Sequence, residues 1–530
     1  MIDDIDLSRI QDENARELVA RLLNLVEKLS ADLRDAQIEI QRLRDEVNRL
    51  KGEQGKPKIK GNTPKPPPTH HSSEKERRKP RQRHKSSKKA EIQINREQVV
   101  AVDPAMLPQD AEFKGHEDVV VQDILLRTDN ILFHKQKYYA PSTRRTYLAQ
   151  LPRGYEGQFG PGIKALTLAF YFGMGTSEPK ILEFYENVGV QISKGELSNL
   201  LIKDQASFHA EKEAVYEAGL HSSPWQQTDD TLTRVDGQNQ HCHVVCNPVY
   251  TAYHTRPTKE RLSVLDVLRN GRKRIFRLNA EALGYLDNLP WSKTAWRRLQ
   301  SWTAEVGEQD LEESAFLERL EAALPKLSLQ QRKALIDAAA VAAYHAETDF
   351  PVVQALVCDD APQFNWLSRE MMLCWVHAGR PFKKLIPVVA LHRELLAGFL
   401  KRFWEYYDQL FSTHTGYDEL DQRITKTRAK KASLLLVLKY PELPLHNNAA
   451  ELGVRQRVRK RDVSFGPRTE DGVRAWDTFA TLAATAKKLR VSFYRYLHDR
   501  ISAENQIPPL ADLVEKRAKD LDLGWSWPCT

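Results

Sequence analysis

The first fifty residues carry a heptad repeat of apolar positions. Apolar residues alternate at spacings of three and four, and the remaining faces are charged. The repeat consists of Val19, Leu22, Val26, Leu29, Leu33, Ala36, Ile40, Leu43, Val47 and Leu50. β-Branched residues fill most a positions and leucine most d positions, which favours a parallel two-stranded coil. Residues 1–51 are therefore predicted to form a coiled-coil dimerisation helix; a single long helix packed on its own chain is the alternative.

Residues 52–95 are polar and interrupted by Pro66, Pro67 and Pro68. Such a segment cannot bury enough apolar surface to order itself, so it is predicted to be a basic disordered linker. Its cations serve either solubility or non-specific binding of phosphates. The cations assigned to this arm are Arg77, Arg78, Lys79, Arg81 and Arg83.

Residues 96–222 are predicted to be a DNA-binding region. Between about 96 and 160, the runs VVVQDILL, DNILFHKQKYYAP and RRTYLAQLP predict a β-rich module. Further on, SEPKILEFYENVGVQISKGELSNLLI predicts a helix, a short turn and a second helix capped by Ser193, with Glu196 three residues later. This is a helix-turn-helix pattern, although two ordinary packed helices would give the same pattern.

Residues 223–500 change period and predict an α/β domain. WQQTDDTLTRV, HCHVVCN and VYTAYHT predict three strands, a helix follows over Lys259 to Arg269, and PVVQALVCDD predicts a fourth strand. A helical stretch of about 271–349 separates that helix from the fourth strand, and more helices follow. This order is typical of an RNase H-like fold. The predicted fold class is multidomain α/β, and residues 501–530 are predicted to be a C-terminal tail.

Acidic residues occur at three places in this order that an RNase H-like fold would bring together. They are Asp229 or Asp230 on the first strand, Asp359 or Asp360 after the fourth, and Glu451 at the start of a late helix. Neighbouring strand residues point to opposite faces, so one member of each doublet would face the site. Carboxylates suit Mg²⁺ or Mn²⁺, and two such ions about 4 Å apart could promote phosphodiester chemistry.

A run of cations follows Glu451 within about three helical turns. Its members are Arg455, Arg457, Arg459, Lys460 and Arg461. They are predicted to contact phosphates, while an ordinary solvated helix with Glu451–Arg455 pairing is the simpler interpretation.

The composition indicates which kind of partner and which cellular compartment to expect for this protein. The 530-residue chain has 41% hydrophobic residues and a net charge of +8, which indicates an anionic partner. Its five scattered cysteines favour a reducing compartment. The polar N-terminus is unlike a signal peptide, and no apolar run predicts a membrane span. Cys374 and His377 have C-x-x-H spacing without a second half, so zinc is not expected.

Several of these segments together resemble one family. HNNAAELGVRQRVRKRDVSFGPRTEDGVRAWDTFATLAATAKKLRVSFYRYL resembles the C-terminal end of the DDE transposases of the insertion sequence 66 family. TDDTLTRV resembles the family's first-aspartate strand, and VCDDAPQFN with LCWVHAGRPFKKL resembles its second-aspartate strand and the segment after it. The region from YYAPSTRRTYLAQLP to ELSNLLI also resembles the part ahead of the catalytic domain.

The resemblance implies a DNA transposase whose catalytic and metal-binding residues are Asp229, Asp359 and Glu451, with His377 as a supporting residue. It also implies two Mg²⁺ or Mn²⁺ ions, double-stranded DNA (element ends and target) as partner, and a bacterial cytoplasmic, nucleoid-associated location. The chain departs from the family in two ways: 96–160 has no cysteine for a zinc module, and 271–349 is longer than expected.

Two other functions fit the same residues. One is a non-catalytic DNA-binding regulator or architectural protein descended from a transposase. The other is an RNase H-fold nuclease that cuts DNA without joining it. All three would act on DNA as a homodimer or higher oligomer formed through the N-terminal coiled coil.

Overall fold

A computed structural model describes residues 7, 10–50, 92–108, 111–124, 126–287, 289–402 and 411–527. Most of the predicted linker, including the five arm cations Arg77, Arg78, Lys79, Arg81 and Arg83, lies outside these residues. The chain is a mixed α/β protein. Within the described residues, no helix is both long and apolar enough to cross a membrane.

The helices of the described residues alternate with short strands in the middle of the chain. The helices are α1 Glu13–Leu50, α2 Pro161–Leu168, α3 Glu178–Asn187, α4 Lys194–Ile202, α5 Ala206–His221, α6 Arg261–Leu268, α7 Ala280–Leu286, α8 Lys293–Val306, α9 Glu313–Ala323, α10 Leu329–His345, α11 Trp375–Lys383, α12 Ala390–Arg402, α13 Asp418–Arg428, α14 Lys431–Leu434, α15 Asn448–Ser464, α16 Glu470–Lys488, α17 Phe493–Ile501 and α18 Leu510–Leu521. The strands are β1 Lys137–Ala140, β2 Arg145–Leu148, β3 Trp225–Val235, β4 Gln238–Cys246, β5 Thr251–Arg256, β6 Ile275–Phe276, β7 Leu311–Glu312, β8 Ala355–Cys358 and β9 Glu370–Leu373.

A five-stranded mixed sheet with the order β5-β4-β3-β8-β9 lies at the centre. β3, β4 and β5 pair antiparallel, and β8 and β9 add to β3 in parallel. The turn from β3 to β4 uses Asp236 and Gly237, both at positive φ, as a tight hairpin of type I′ requires. The four strands predicted from the sequence are confirmed, whereas the short β9 was not predicted.

Each face of the sheet is covered by its own layer of helices. Val245, Leu356 and Cys358 pack with α5, α6 and the helices of 271–349. Trp225 and Val357 point the other way and pack against α11, α13 and their flanking loops. On this second face, α15 and α16 cover β4 and β5. The predicted helical stretch 271–349 is confirmed, apart from the small β6–β7 pair.

Helix α1 packs on the body along one face, and the seam valines Val19 and Val26 are half-buried beside that face. Leu23 and Glu27 are buried, and the Glu27 carboxylate accepts the N–H groups of Val388 and Val389 at 2.9 and 2.7 Å. The seam leucines Leu22, Leu29 and Leu43 are at least half exposed. Within the predicted 1–51, a helix is therefore present over Glu13–Leu50, and its pairing with a second copy remains a prediction.

Residues 96–160 contain less β structure than the sequence predicts. Within their described part, strands form only at the β1–β2 hairpin, and runs such as Val119 to Val121 are exposed. The predicted β-rich module is therefore limited to this hairpin, because these apolar runs have no sheet to join and no core to cover them.

The predicted helix-turn-helix segment is formed by α3 and α4. Ser193 caps α4, its hydroxyl accepting the Glu196 N–H at 3.1 Å, as the sequence predicts. These helices share a core with α2, α16 and α17.

The predicted C-terminal tail contains a packed helix. Leu510, Val514 and Ala518 form an apolar stripe at helical spacing on α18, and this stripe is buried. Because α18 lies against α5, residues 510–521 belong to the folded body.

Candidate metal-binding active site

Strands β3 and β8 bring one aspartate of each doublet to the same face of the sheet. Gln227 is in register with Val357 in the parallel pair, so Asp229 and Asp359 each lie two residues further along. Residues two apart on a strand share a face, and register partners point the same way. Asp229 and Asp359 therefore project on the face covered by α11 and α15.

The other members of the doublets have partners of their own. Asp230 accepts a hydrogen bond from the Gln363 side chain at 2.8 Å, and Asp360 forms an ion pair with Lys430. Strand alternation and these partners favour Asp229 and Asp359 as the site carboxylates. The residue pattern left both choices open, and only the family resemblance selected Asp229 and Asp359.

Glu451 reaches the site because the start of α15 is tied to β3. The Asn447 side-chain amide donates to the carbonyl of Thr228, the residue before Asp229, at 2.6 Å. The Asn447 backbone N–H donates to the Cys374 Sγ at 3.2 Å. One buried asparagine thus connects β3, the start of α11 and α15. Glu451 lies one helical turn further on, in the first turn of α15.

A glycine allows α15 to approach the sheet closely. A Cβ on Gly453 would lie 2.8 Å from Val244 Cγ1, and Val244 is the register partner of Asp229 on β4. The Tyr253 hydroxyl donates to the Gly453 carbonyl at 3.1 Å. A larger residue at 453 would push away the helix that carries Glu451.

Two residues of α11 contact Glu451. Arg380 Nη2 donates to Glu451 Oε1 at 3.4 Å, and His377 Nδ1 lies 3.4 Å from the same oxygen. Burial lowers the pKa of His377 to about 4, helped by the Arg380 charge, so the imidazole is neutral at physiological pH. Arg380 therefore supplies the positive charge here. Its spacing of three from His377 was visible in the sequence, but no role was predicted for it.

The carboxylates are in an electrostatically unfavourable environment. Burial, followed by repulsion from Asp359, raises the pKa of Asp229 to about 8. Burial also raises the pKa of Asp359, against a lowering contribution from the Ala361 backbone N–H. A bound divalent cation would relieve this repulsion, and an all-oxygen donor set suits Mg²⁺ or Mn²⁺. The residues present therefore fit the predicted ions.

Softer donors lie on one side of the same site. Single ligand atoms of Cys374, His377 and Glu451 lie within 4.8 Å of one another. Burial raises the pKa of the Cys374 thiol, and its sulfur accepts the Asn447 N–H. The Cys374 sulfur is thus hydrogen-bonded within the fold, and the expectation that no zinc binds here stays a prediction.

The raised pKa of Asp229 predicts a pH-dependent stability in cation-free protein. An unfolded aspartate has a pKa near 3.9, so between about pH 4 and 8 the folded state holds a proton that the unfolded state has lost. The free energy of unfolding should therefore fall as pH rises through this window, by at most about 1.4 kcal/mol per pH unit. Urea unfolding in EDTA at pH 5, 6.5 and 8 measures it.

In Asp229→Asn this contribution should disappear, so its pH dependence should be flatter than that of the wild type. Asp462→Asn, an exposed substitution on α15, is the matched control and should retain the wild-type slope. Parallel pH profiles for wild type and Asp229→Asn would show that Asp229 is ionised normally.

The cations after Glu451 do not form one surface. Arg457 is buried in an ion pair with Asp477 at 3.2 Å, and Lys460 lies 3.2 Å from the centre of the Tyr171 ring. Burial lowers the pKa of Lys460 to about 7. In this structure Arg457 is engaged with Asp477 and Lys460 with the Tyr171 ring, so the phosphate contacts of these two residues stay a prediction.

The other three cations of this run lie nearer to solvent. Arg459 is exposed, and Arg455 is half-buried. Arg461 donates to the Leu232 carbonyl at the outer end of β3. Of the predicted set, these three are placed where a phosphate could reach them.

Comparison with known proteins yields a relative without an assigned function. No family model matches the sequence, and no solved structure matches it. The uncharacterized protein y4jO of Sinorhizobium fredii (strain NBRC 101917 / NGR234) is 31% identical, in a match that covers 57% of this chain and 99% of y4jO. The chain therefore belongs to the same family as y4jO.

Proposed function

We propose that the protein is a DNA transposase that cleaves DNA at element ends and joins the freed 3′-OH to target DNA. The observation that carries the proposal is that Asp229 and Asp359 lie on one face of adjacent strands, while α15, which carries Glu451, packs on that face. Besides burial, repulsion from Asp359 and Glu451 raises the pKa of Asp229. The resemblance to the DDE transposases of the insertion sequence 66 family supports the same assignment.

The central sheet supports an RNase H-like catalytic core. Its first three strands, β3 to β5, form an antiparallel unit, and β8 and β9 extend it in parallel from β3. The two acidic strands are neighbours although about 120 residues separate them in the chain. An RNase H-like core needs this adjacency, because its first and fourth strands each provide a carboxylate.

The proposed chemistry assigns a task to each group. Asp229, Asp359 and Glu451 would hold two Mg²⁺ or Mn²⁺ ions, which supply activation of the attacking oxygen and stabilisation of the leaving oxygen when bound. Arg380 offsets the charge of Glu451 and orients its carboxylate. Asn447 fixes α15 against the strand of Asp229. Water would attack a phosphodiester at the element end and break its bond to the 3′-oxygen, which leaves as a 3′-OH. That 3′-OH would then attack a target phosphodiester, form a new P–O bond and displace the 3′-oxygen of the target strand.

DNA recognition and assembly would use the elements around this core. The α3–turn–α4 segment would bind element ends, with the basic arm providing contacts that are independent of sequence. The exposed leucines of the α1 seam would pair with those of a second copy, while Glu27 holds a different side of the helix on the body.

The test is a reaction of the full chain with DNA that carries the two junctions flanking its coding region. With Mg²⁺, a transposase should release 3′-OH ends at the junctions and join them to a target plasmid. Scrambled junctions of equal length and an EDTA reaction are the controls. Cleavage without joined products would identify a nuclease. Binding without cleavage in Mg²⁺ and Mn²⁺ would identify a non-catalytic DNA-binding protein.

A further inference from the structure

A cavity of about 160 Å³ lies between α11 and α13, beside the acidic site. Its lining includes His377 and Asp360, and the cations of α13 and the residues after it face them across the opening. The volume is well above the roughly 10–15 Å³ that one water requires, so a small anionic group fits.

The cations of this cavity recur at helical spacing. Arg423, Lys426 and Lys430 are three and four residues apart, so they share one side of the α13 segment. Lys430 is paired with Asp360. Arg423 and Lys426 make no ion pair in the described part of the chain, and the Arg423 Nε is buried without a hydrogen-bond partner. Two positive charges are therefore available to a ligand.

The cavity lies next to the proposed metal-binding carboxylates. His377 lines the cavity and lies 3.4 Å from Glu451, and Asp360 directly follows Asp359. An anion bound to Arg423 and Lys426 would therefore lie next to the site where the reacting phosphodiester is proposed to bind. The guanidinium of arginine binds phosphate oxygens in pairs, and lysine binds phosphate as a point charge.

We propose that this cavity binds a backbone phosphate of the DNA strand that enters the active site. The inference rests on the proposed function, since it takes DNA as the ligand. In this proposal Arg423 and Lys426 of α13 bind the strand, and neither residue was predicted from the sequence. Their i, i+3 spacing was visible in the chain, but the approach of α13 to α11 was not.

Lys426→Ala tests the proposal, with Arg428→Ala as the matched control. Both residues are exposed on α13, and only Lys426 lines the cavity. Binding of an end-junction duplex is measured by fluorescence anisotropy in EDTA over a range of salt concentrations. Loss of one phosphate contact should make the slope of log K against log salt less negative by about 0.9 in Lys426→Ala and leave it unchanged in Arg428→Ala. Equal slopes for the two variants would overturn the proposal.

A second experiment distinguishes a DNA phosphate from free inorganic phosphate as the ligand of the cavity. Inorganic phosphate is titrated against both variants and followed by phosphorus NMR. If it binds the wild type and Arg428→Ala but not Lys426→Ala, while the DNA slopes are equal, the cavity is a site for free phosphate and the proposal fails. Competition of phosphate with DNA in the wild type and in Arg428→Ala, but not in Lys426→Ala, would support it.

These outcomes are independent of catalysis. A wild type that binds DNA with the predicted slopes but never cleaves it would leave the phosphate site standing and overturn the transposase assignment. If the wild type cleaves and joins DNA but Lys426→Ala does not change the slope, the transposase assignment stands and the phosphate site is overturned. Absence of DNA binding by the wild type would overturn both.

Discussion

Glu451→Gln, Asp359→Asn and Asp229→Asn should each reduce Mg²⁺-dependent end cleavage by about 10³-fold or more while the protein still binds DNA. Each substitution removes a charged ligand from a site where the ions would contribute several kcal/mol to stabilising the transition state. Each 1.36 kcal/mol corresponds to a tenfold change in rate. Single-turnover cleavage of a labelled end junction measures the effect, and anisotropy confirms binding.

The structure provides matched controls for these three substitutions. Asp462→Asn removes an exposed charge from α15, the same helix, and should cleave at the wild-type rate. Asp230→Asn and Asp360→Asn alter the acids that are bound to Gln363 and Lys430, and they should have smaller effects. If Asp230→Asn abolished cleavage and Asp229→Asn did not, the assignment within the first doublet would be reversed. A Glu451→Gln protein with wild-type activity would refute the site.

Arg457→Met should lower the free energy of unfolding by roughly 3–5 kcal/mol, because it leaves a buried carboxylate without its cation. Arg457 pairs with Asp477 and donates to the Thr255 hydroxyl at 2.9 Å, while Asp477 accepts the Thr255 backbone N–H. Methionine keeps an unbranched stem but removes the guanidinium that lies 4.7 Å from the centre of the Trp476 ring. Urea unfolding measures the loss. Adding Asp477→Asn should restore part of it, since the amide oxygen still accepts the Thr255 N–H.

Arg459→Ala is the complementary variant. Arg459 is exposed on the same helix, so its removal should leave stability nearly unchanged. If Arg459 contacts a phosphate, Arg459→Ala should make the slope of log K against log salt less negative. Arg457→Met should not alter that slope. A less negative slope with intact stability in Arg457→Met would show that Arg457 binds phosphate after all.

Local patterns in the chain predicted most of the elements correctly. Strand β3 has the bounds that the alternating run Trp225 to Val235 indicates. Ser193 caps α4, and α15 starts just ahead of Glu451. These features depend on neighbours within a few residues, so the sequence displays them directly. The runs before β1 failed as strands because strand formation needs a partner, which β propensity alone cannot provide.

The set of candidate acids also came from the sequence, since their places in the order of elements were informative. The choice within each doublet came from the sequence only through the family resemblance, because its physical basis is the register between β3 and β8. That register pairs residues about 130 positions apart. The role of Arg380 depends in the same way on how α11 meets α15.

The sequence by itself thus determined the heptad helix, the strands that carry the aspartates and the helix that starts at Glu451, because each is encoded by a local period or cap. Only the tertiary structure decided which acids share a face and which cations are buried. The sequence does not show which arginines of a helix are buried, because burial depends on residues far away in the chain that pack against one side of that helix. Arg457 is buried against Asp477. Arg423 and Lys426 of α13 line a cavity together with His377 of α11.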